Sequence, residues 1–288
     1  MTTKKLIVVV GPTAAGKTAY AVRLAQELGT EIVSCDSRQF YRELDIGVAR
    51  PSPDELQAAK HHFIACRSIT EGYDAYRYSE DALQKIAELH RSHDSVIAVG
   101  GSGLYIDALC HGIAQMPDPT PELRQQLQQQ LRDEGIESLR RQLKLLDPEY
   151  YQRVDLANPA RLQRALEVCL TTGEPYSKVI NQTLQSRPFA VETIGISRER
   201  DELRHRIDTR VDRMMADGLL DEVRSLLPYR HLQTLNTVGY KELMEYLDGR
   251  CTHPDAVLRI KQHTWQYAKK QLTWLHRNPA ITWLPGLS

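Results

Sequence analysis

Eight residues constrain this chain more than any others: GPTAAGKT, positions 11–18, between the apolar run LIVVV and the segment AYAVRLAQEL. Gly11, Gly16, Lys17 and Thr18 satisfy the pattern G-x-x-x-x-G-K-[ST]. In such a loop the glycines let backbone N–H groups turn inward on a phosphate. The lysine adds a point charge, and the threonine hydroxyl is a magnesium ligand. The motif works as the turn between a buried strand and a helix, and the flanking segments have those two patterns. Residues 11–18 therefore predict a strand–loop–helix unit that binds phosphate. Whose phosphate, and for what reaction, depends on what the rest of the chain places around the loop.

Further short apolar runs predict the sheet that carries it. LIVVVG (6–11), EIVSCDS (31–37) and SVIAVGGSG (95–103) read as buried parallel strands. Between the first two, Ala21, Leu24, Ala25 and Leu28 share one face of a helix over 18–28, and Gly29 supplies its stop. Strands alternating with helices predict an α/β fold, a P-loop doubly wound parallel sheet with its site at the carboxyl ends of the strands. After MPDPTP (116–121) the character changes. Residues 122–179 are rich in Leu, Gln, Arg and Glu, without a strand pattern, and are broken at DP (147–148) and NP (158–159). They predict a helical insertion domain, 116–187, within a core formed by 1–115 and 188–288. AVETIGIS (190–197) returns as a strand, and the C-terminal region after it reads as helical throughout.

Composition narrows the function classes. Lys+Arg and Asp+Glu balance at 37 each, so overall charge points to no polyanionic partner. The charge is unevenly spread: from Arg250 onward there are six basic residues (250, 259, 261, 269, 270 and 277) against one acid, Asp255. By itself such a tail reads as a solvated face. Five scattered cysteines (35, 66, 110, 169 and 251) with no C-x-x-C pair argue against a disulfide framework or zinc site, and for buried, reduced thiols. MTTKK leads into five apolar residues, too few for a signal-peptide core, and no stretch approaches the roughly 18 apolar residues of a membrane span. A soluble, cytoplasmic protein without membrane contact is expected.

Two strand ends carry chemistry beside the loop. DSRQFY (36–41) sets Asp36 at the end of the second strand, across the sheet edge from the P-loop. A carboxylate there serves as base or magnesium ligand, and an ordinary helix N-cap is the plainer alternative. VGGSGLY (99–105) ends its strand in glycines and one hydroxyl, Ser102, where a common P-loop ATPase has a magnesium-organising aspartate. No N-K-x-D guanine signature occurs. The pattern argues against a GTPase switch or a motor, and for phosphates that belong to a group being transferred. His61 and His62 lack a Cys or carboxylate pattern nearby and are read as structural hydrogen-bonders.

GPTAAGKT, DSRQFYRELDIGVARP, HHF, VGGSGLY, NPARLQRALEV, VGYKE and TWQYAKKQLTW occur in the order seen in bacterial tRNA dimethylallyltransferases, which the chain resembles from residue 6 to about 284. That resemblance implies a magnesium-dependent transfer of a dimethylallyl group from its diphosphate to N6 of adenosine 37, beside the tRNA anticodon. It implies that Gly11, Pro12, Thr13, Ala14, Ala15, Gly16, Lys17 and Thr18 hold the diphosphate leaving group rather than ATP, with magnesium meeting Thr18 through the phosphates. Lys17, Ser102 and Asp36 take catalytic roles, Asp36 as general base. The target adenine leaves its stack and meets Asp36, Ser37, Arg38, Gln39 and Ser102, where Gln39 hydrogen-bonds or wedges.

The resemblance further puts tRNA contacts on Arg124, on Ala160, Arg161, Leu162, Gln163 and Arg164 of the insertion, and on Lys269 and Lys270 of the tail. Trp265, Tyr267 and Trp274 lie near the last two in sequence; Trp274 and Leu275 read more readily as core than as a stacking platform. The chain departs from the family in having Ser102 for a usual threonine, Ala160 for a glutamine, and Trp265 and Lys270 for arginines. The partners expected are a tRNA anticodon stem-loop and dimethylallyl diphosphate, met by a monomer.

Three other readings share the loop: a prenyltransferase of free adenine nucleotides, a P-loop small-molecule kinase, and an RNA-binding protein without activity. The insertion and the basic tail argue for a macromolecular acceptor. DSRQ, and the lack of a clear lid-arginine cluster, argue against the kinase. A phosphate loop with a strand-end aspartate argues against binding alone.

Overall fold

A computed structural model describes residues 4–180 and 186–286. The chain divides into two compact units, Met1–Cys110 with Arg187–Ser288, and His111–Ser186. The first unit begins β1 (Lys5–Val10), α1 (Lys17–Leu28), β2 (Ile32–Ser34), α2 (Pro53–Ala58), β3 (His61–His62), α3 (Ala75–Leu89), β4 (Ser95–Val99) and α4 (Gly103–His111). The second holds α5 (Pro121–Glu134), α6 (Ile136–Leu146), α7 (Pro148–Arg153), α8 (Pro159–Thr172) and α9 (Tyr176–Ile180). The first unit resumes with β5 (Ala190–Ser197), α10 (Arg200–Ala216), α11 (Leu219–Ser225), α12 (Tyr240–Leu247), α13 (His253–Leu275) and β6 (Thr282–Pro285).

Six parallel strands form one sheet in the order β3-β2-β4-β1-β5-β6. β1 lies mid-sheet, so both of its faces are covered, which is why its sequence is a continuous apolar run rather than an alternating one. Leu6, Val8 and Val10 face one core with Val33, Val96 and Ala98. Val9 faces the other with Ile32, Ile97 and Val99, against Ala21, Val22 and Ala25 of α1. α1 ends where Gly29 takes a left-handed turn.

The sheet differs from the sequence expectation at its margins. Residues 282–285 (TWLP) form β6, an edge strand paired with β5, where the chain was expected to be helical to its end. Four residues ending in proline carry little strand signal, and an edge tolerates the missing N–H. His61 and His62 form β3 at the opposite edge. β2 ends at Ser34, so Asp36 belongs to the following loop, and β4 stands between β2 and β1.

The helical unit packs Leu127 of α5, Leu139 and Leu143 of α6, and Leu162, Ala165 and Leu166 of α8 into its own core. Its breaks have specific causes. Buried Asp147 caps α7 by accepting the Tyr150 N–H at 2.9 Å, and its carboxylate also accepts from the Ser177 N–H and hydroxyl. Asn158 caps α8 by accepting the Arg161 N–H, ahead of Pro159. Among the described residues no helix is long and apolar enough to cross a membrane.

Candidate active site

The P-loop lies where its motif requires, between β1 and α1. Gly11 and Pro12 are buried beneath it, and Ala14 and Ala15 are packed into the core, while Thr13, Gly16, Lys17 and Thr18 line a cleft of about 530 Å³. Gly16 turns the chain into α1 with φ 96°, a left-handed conformation that strains any residue with a Cβ. No side chain caps α1 and no acid sits in its first turn, so its leading N–H groups have neither a capping partner nor a neutralising charge. A helix end in that condition is an anion site.

α10 contributes what the sequence reading missed. Arg206 Nε donates to the Ala14 carbonyl at 2.9 Å and Arg210 to the Thr13 hydroxyl at 3.1 Å; from the loop just before α10, Arg198 Nε donates to the Ala15 carbonyl at 3.2 Å. These arginines stand against the P-loop itself, so cationic side chains beside the loop do not by themselves separate the transferase reading from the kinase one. Arg206, Arg210 and Arg213 stand at i, i+4 and i+7 in RDELRHRIDTRVDR, so they share a helix face, and all three line the cleft. That spacing was legible. Its destination was not, because nearly 200 residues separate it from the loop.

Charge is crowded here. Burial, then the Arg210 guanidinium, push Lys17 down to about 8 against the opposing pull of Asp36. Burial and Arg206 likewise hold Arg210 below the usual arginine range, again against Asp36. Lys17 Nζ donates to the Pro12 carbonyl at 2.8 Å. Desolvated cations held together at a cost to their charged forms are stabilised by a bound polyanion.

The 36–39 segment sits across the cleft. Asp36 accepts the Arg38 N–H at 2.9 Å, a turn that leaves its second oxygen available. Ser102 accepts the Ser37 N–H at 3.0 Å and its hydroxyl lies 3.1 Å from the Ser37 hydroxyl, so the glycine loop after β4 holds the 36–39 segment. Phe40, fully buried and stacked on Tyr78 with centroids 5.1 Å apart, anchors the segment from below. Gln39 lines the cleft with Asp36. Its amide donates to the Val48 and Ala49 carbonyls at 3.3 and 2.9 Å, so it supports a neighbouring loop.

Gln271 of α13 was also missed. Only 7% exposed, it accepts the Thr13 N–H and donates to the Gly101 carbonyl, both at 2.8 Å, tying the P-loop to the glycine loop. Tyr267, one turn earlier, is partly exposed and lines the cleft; desolvation on its cleft side and the Asp36 charge push its phenol up to about 12, against hydrogen bonds with Ser102 and Gln271. Lys269 and Lys270 are exposed on α13. Trp265 packs beneath Arg204 at 5.7 Å and against the P-loop side of the core, and Trp274 packs into the core beside buried Leu275.

In the helical unit, Ala160 and Arg161 are exposed on the first turn of α8 and Gln163 is half-buried. Leu162 is a correction: its side chain is fully buried in the helical core and cannot face RNA. Arg164 pairs with Glu167 at 3.1 Å, and Arg124 approaches the other oxygen of Glu167 at 3.6 Å. His62 bonds Glu31 at 2.5 Å and His61 the Ala59 carbonyl at 2.8 Å, both structural. Cys66 is exposed, against the expectation of buried thiols. Among the described residues no cluster of three or more His, Cys, Asp or Glu side chains is arranged to hold a metal.

A family model described as IPP transferase matches residues 39–278. The chain is 48% identical over 267 residues to tRNA dimethylallyltransferase 1 of Bacteroides thetaiotaomicron, covering 93% of this chain and 87% of that protein. It is 46% identical to the Phocaeicola vulgatus protein of the same name, covering 93% and 89%. The structure of the full-length tRNA isopentenylpyrophosphate transferase from Bacillus halodurans is similar with a TM-score of 0.70 at 35% identity, covering 98% of this chain and 90% of that one. A eukaryotic dimethylallyltransferase acting on tRNA is similar with a TM-score of 0.77 at 25% identity, covering 99% and 74%. With the model matching most of the chain and relatives this similar over nearly all of it, the chain belongs to the IPP transferase family.

Proposed function

We propose that this protein transfers a dimethylallyl group from dimethylallyl diphosphate to N6 of adenosine 37 in tRNA. The family and the activity named for its relatives support a tRNA dimethylallyltransferase. The observation that supports this cleft as its site is an uncapped α1 N-terminus with Lys17, Arg210 and Asp36 lining the same hollow.

The chemistry follows from charge. As the allylic C–O bond breaks, its electron pair stays on the diphosphate. The leading N–H groups of α1, with Lys17, Arg206 and Arg210, stabilise that developing charge. The adenine N6 forms the new C–N bond, and Asp36 takes the proton it sheds. Magnesium fits the residues present: the Thr18 hydroxyl in the cleft would help to hold it beside the phosphates. Bound there, it adds neutralisation of diphosphate charge. On the RNA side, Arg161, Lys269 and Lys270 are exposed cations of the kind that meet phosphates. The reading carries with it cytoplasmic action as a monomer.

The test offers labelled dimethylallyl diphosphate with tRNA or with AMP, followed by nucleoside analysis. The expected label is on adenosine 37 of tRNA. Label on AMP, with none on tRNA, would instead make the protein a free-nucleotide prenyltransferase.

A further inference from the structure

Between Asp36 and α2 the chain makes a loop whose residues 48 and 49 form a wall shared by two hollows. One is the phosphate cleft. The other is a cavity of about 240 Å³, whose apolar lining includes Val211, Met214, Leu219, Val238 and Ile260. Val48, Ala49, Thr13, Asp36 and Arg210 line both. The position of this wall therefore sets the shape of both hollows.

The wall does not hold itself. Ala49 has φ 47°, a left-handed conformation unfavourable for alanine, which persists only if neighbouring contacts impose it. Gln39 holds the carbonyls of residues 48 and 49 from inside. From outside comes Glu222 of α11, about 175 residues away in sequence. One of its oxygens accepts the N–H groups of Ile46 at 2.7 Å and Asp45 at 3.2 Å; the other accepts the Gly47 N–H at 3.1 Å and the Tyr240 hydroxyl at 2.6 Å. Four donors converge on one carboxylate, which saturates both oxygens. Three successive backbone N–H groups aimed at an anion form a concave nest, here filled by a side chain of the same protein.

Tyr240 completes the lock. It is fully buried, and burial with the Glu222 charge holds its phenol far above the ordinary range, so it stays a donor. Its ring lies so close to Gly47 that a Cβ there would sit 2.6 Å from three of its atoms.

We propose that Glu222 is a positioning residue for the transfer reaction: its carboxylate seats residues 45–47 and so sets the wall formed by Val48 and Ala49. The inference rests on the proposed transfer activity. Glu222 touches neither the P-loop nor the α10 arginines, so its loss misplaces the carbon chain and acceptor without weakening the hold on phosphate.

The experiment measures steady-state transfer, inorganic pyrophosphate affinity and melting temperature for the wild type, Glu222→Gln, Glu222→Asp and Gly47→Ala. Assays run below each melting transition. Glu222→Gln places an NH2 against N–H donors, and Gly47→Ala pushes the same loop while leaving Glu222 intact. Each is expected to lower kcat/KM for dimethylallyl diphosphate by about ten- to a hundredfold, the scale of a small misplacement near reacting atoms. Pyrophosphate affinity should stay within about twofold, and Glu222→Asp, which keeps the charge, should recover part of the loss. Unchanged kcat/KM in Gly47→Ala, or pyrophosphate affinity falling in step with kcat/KM in Glu222→Gln, overturns the inference. If Glu222→Gln does not fold, Gly47→Ala decides alone. A wild type that fails to transfer sinks the proposed function, whereas an active wild type with insensitive variants sinks only this positioning role.

Discussion

Lys17 shows how the cleft stores its readiness for an anion. Its ammonium is pushed down to about 8 by burial and by Arg210. A bound diphosphate reverses the second effect and raises it again. Just above pH 8 the site without anion holds Lys17 largely neutral, and a bound diphosphate favours its charged form. Binding there takes up a proton, and affinity falls as pH rises through about 8. Calorimetry of pyrophosphate in buffers of different ionisation enthalpy should detect this uptake above pH 8, and Lys17→Met should remove it; equal uptake in both proteins would contradict the assignment. Arg210 carries a second expectation. Arg210→Ala should weaken pyrophosphate binding by about 1.5–3 kcal/mol, the worth of a charged hydrogen bond, while tRNA affinity measured without diphosphate holds. Asp36→Ala should lower turnover by roughly 100- to 10,000-fold at saturating substrates, as for a lost general base, with tRNA affinity nearly unchanged. Near-normal turnover in that variant would mean that another group takes the proton. Lys17, Thr18 and Asp36 were legible because local motifs announce them. Arg210, Gln271 and Glu222 were not, since each reaches its partner across a long stretch of chain that only the fold closes.

At the scale of elements, α8 separates core from surface along one helix. Leu162 is buried among Leu127, Leu139 and Leu166, whereas Arg161 beside it is exposed. Leu162→Ala should destabilise the helical unit by about 2–5 kcal/mol, read as an earlier melting transition. Arg161→Ala should leave melting unchanged and instead flatten the salt dependence of tRNA binding by about 0.7 to 0.9 in log–log slope, with Lys269→Ala and Lys270→Ala doing the same. Unchanged slopes would return these residues to an ordinary solvated face. The helical breaks were readable in advance because Asp147–Pro148 and Asn158–Pro159 combine a cap with a residue that starts a helix well. The edge strands β3 and β6 were not readable: with two and four residues they have no period of their own and exist only as partners to β2 and β5.

For the whole molecule, the proposed reaction has a loop that elsewhere handles phosphoryl groups retain a diphosphate while carbon moves. The parallel sheet brings the ends of β1, β2 and β4 together, and α10 and α13 close on them with Arg206, Arg210 and Gln271. No part of that arrangement by itself distinguishes carbon transfer from phosphorus transfer. The most direct measurement uses dimethylallyl diphosphate labelled in both its carbon chain and its phosphates, incubated with the protein, magnesium and tRNA in the absence of ATP. Carbon label is expected on tRNA adenosine, with phosphorus label released as inorganic pyrophosphate in equal amount. Phosphorus label in the acceptor, or a reaction that proceeds only when ATP is added, would contradict it.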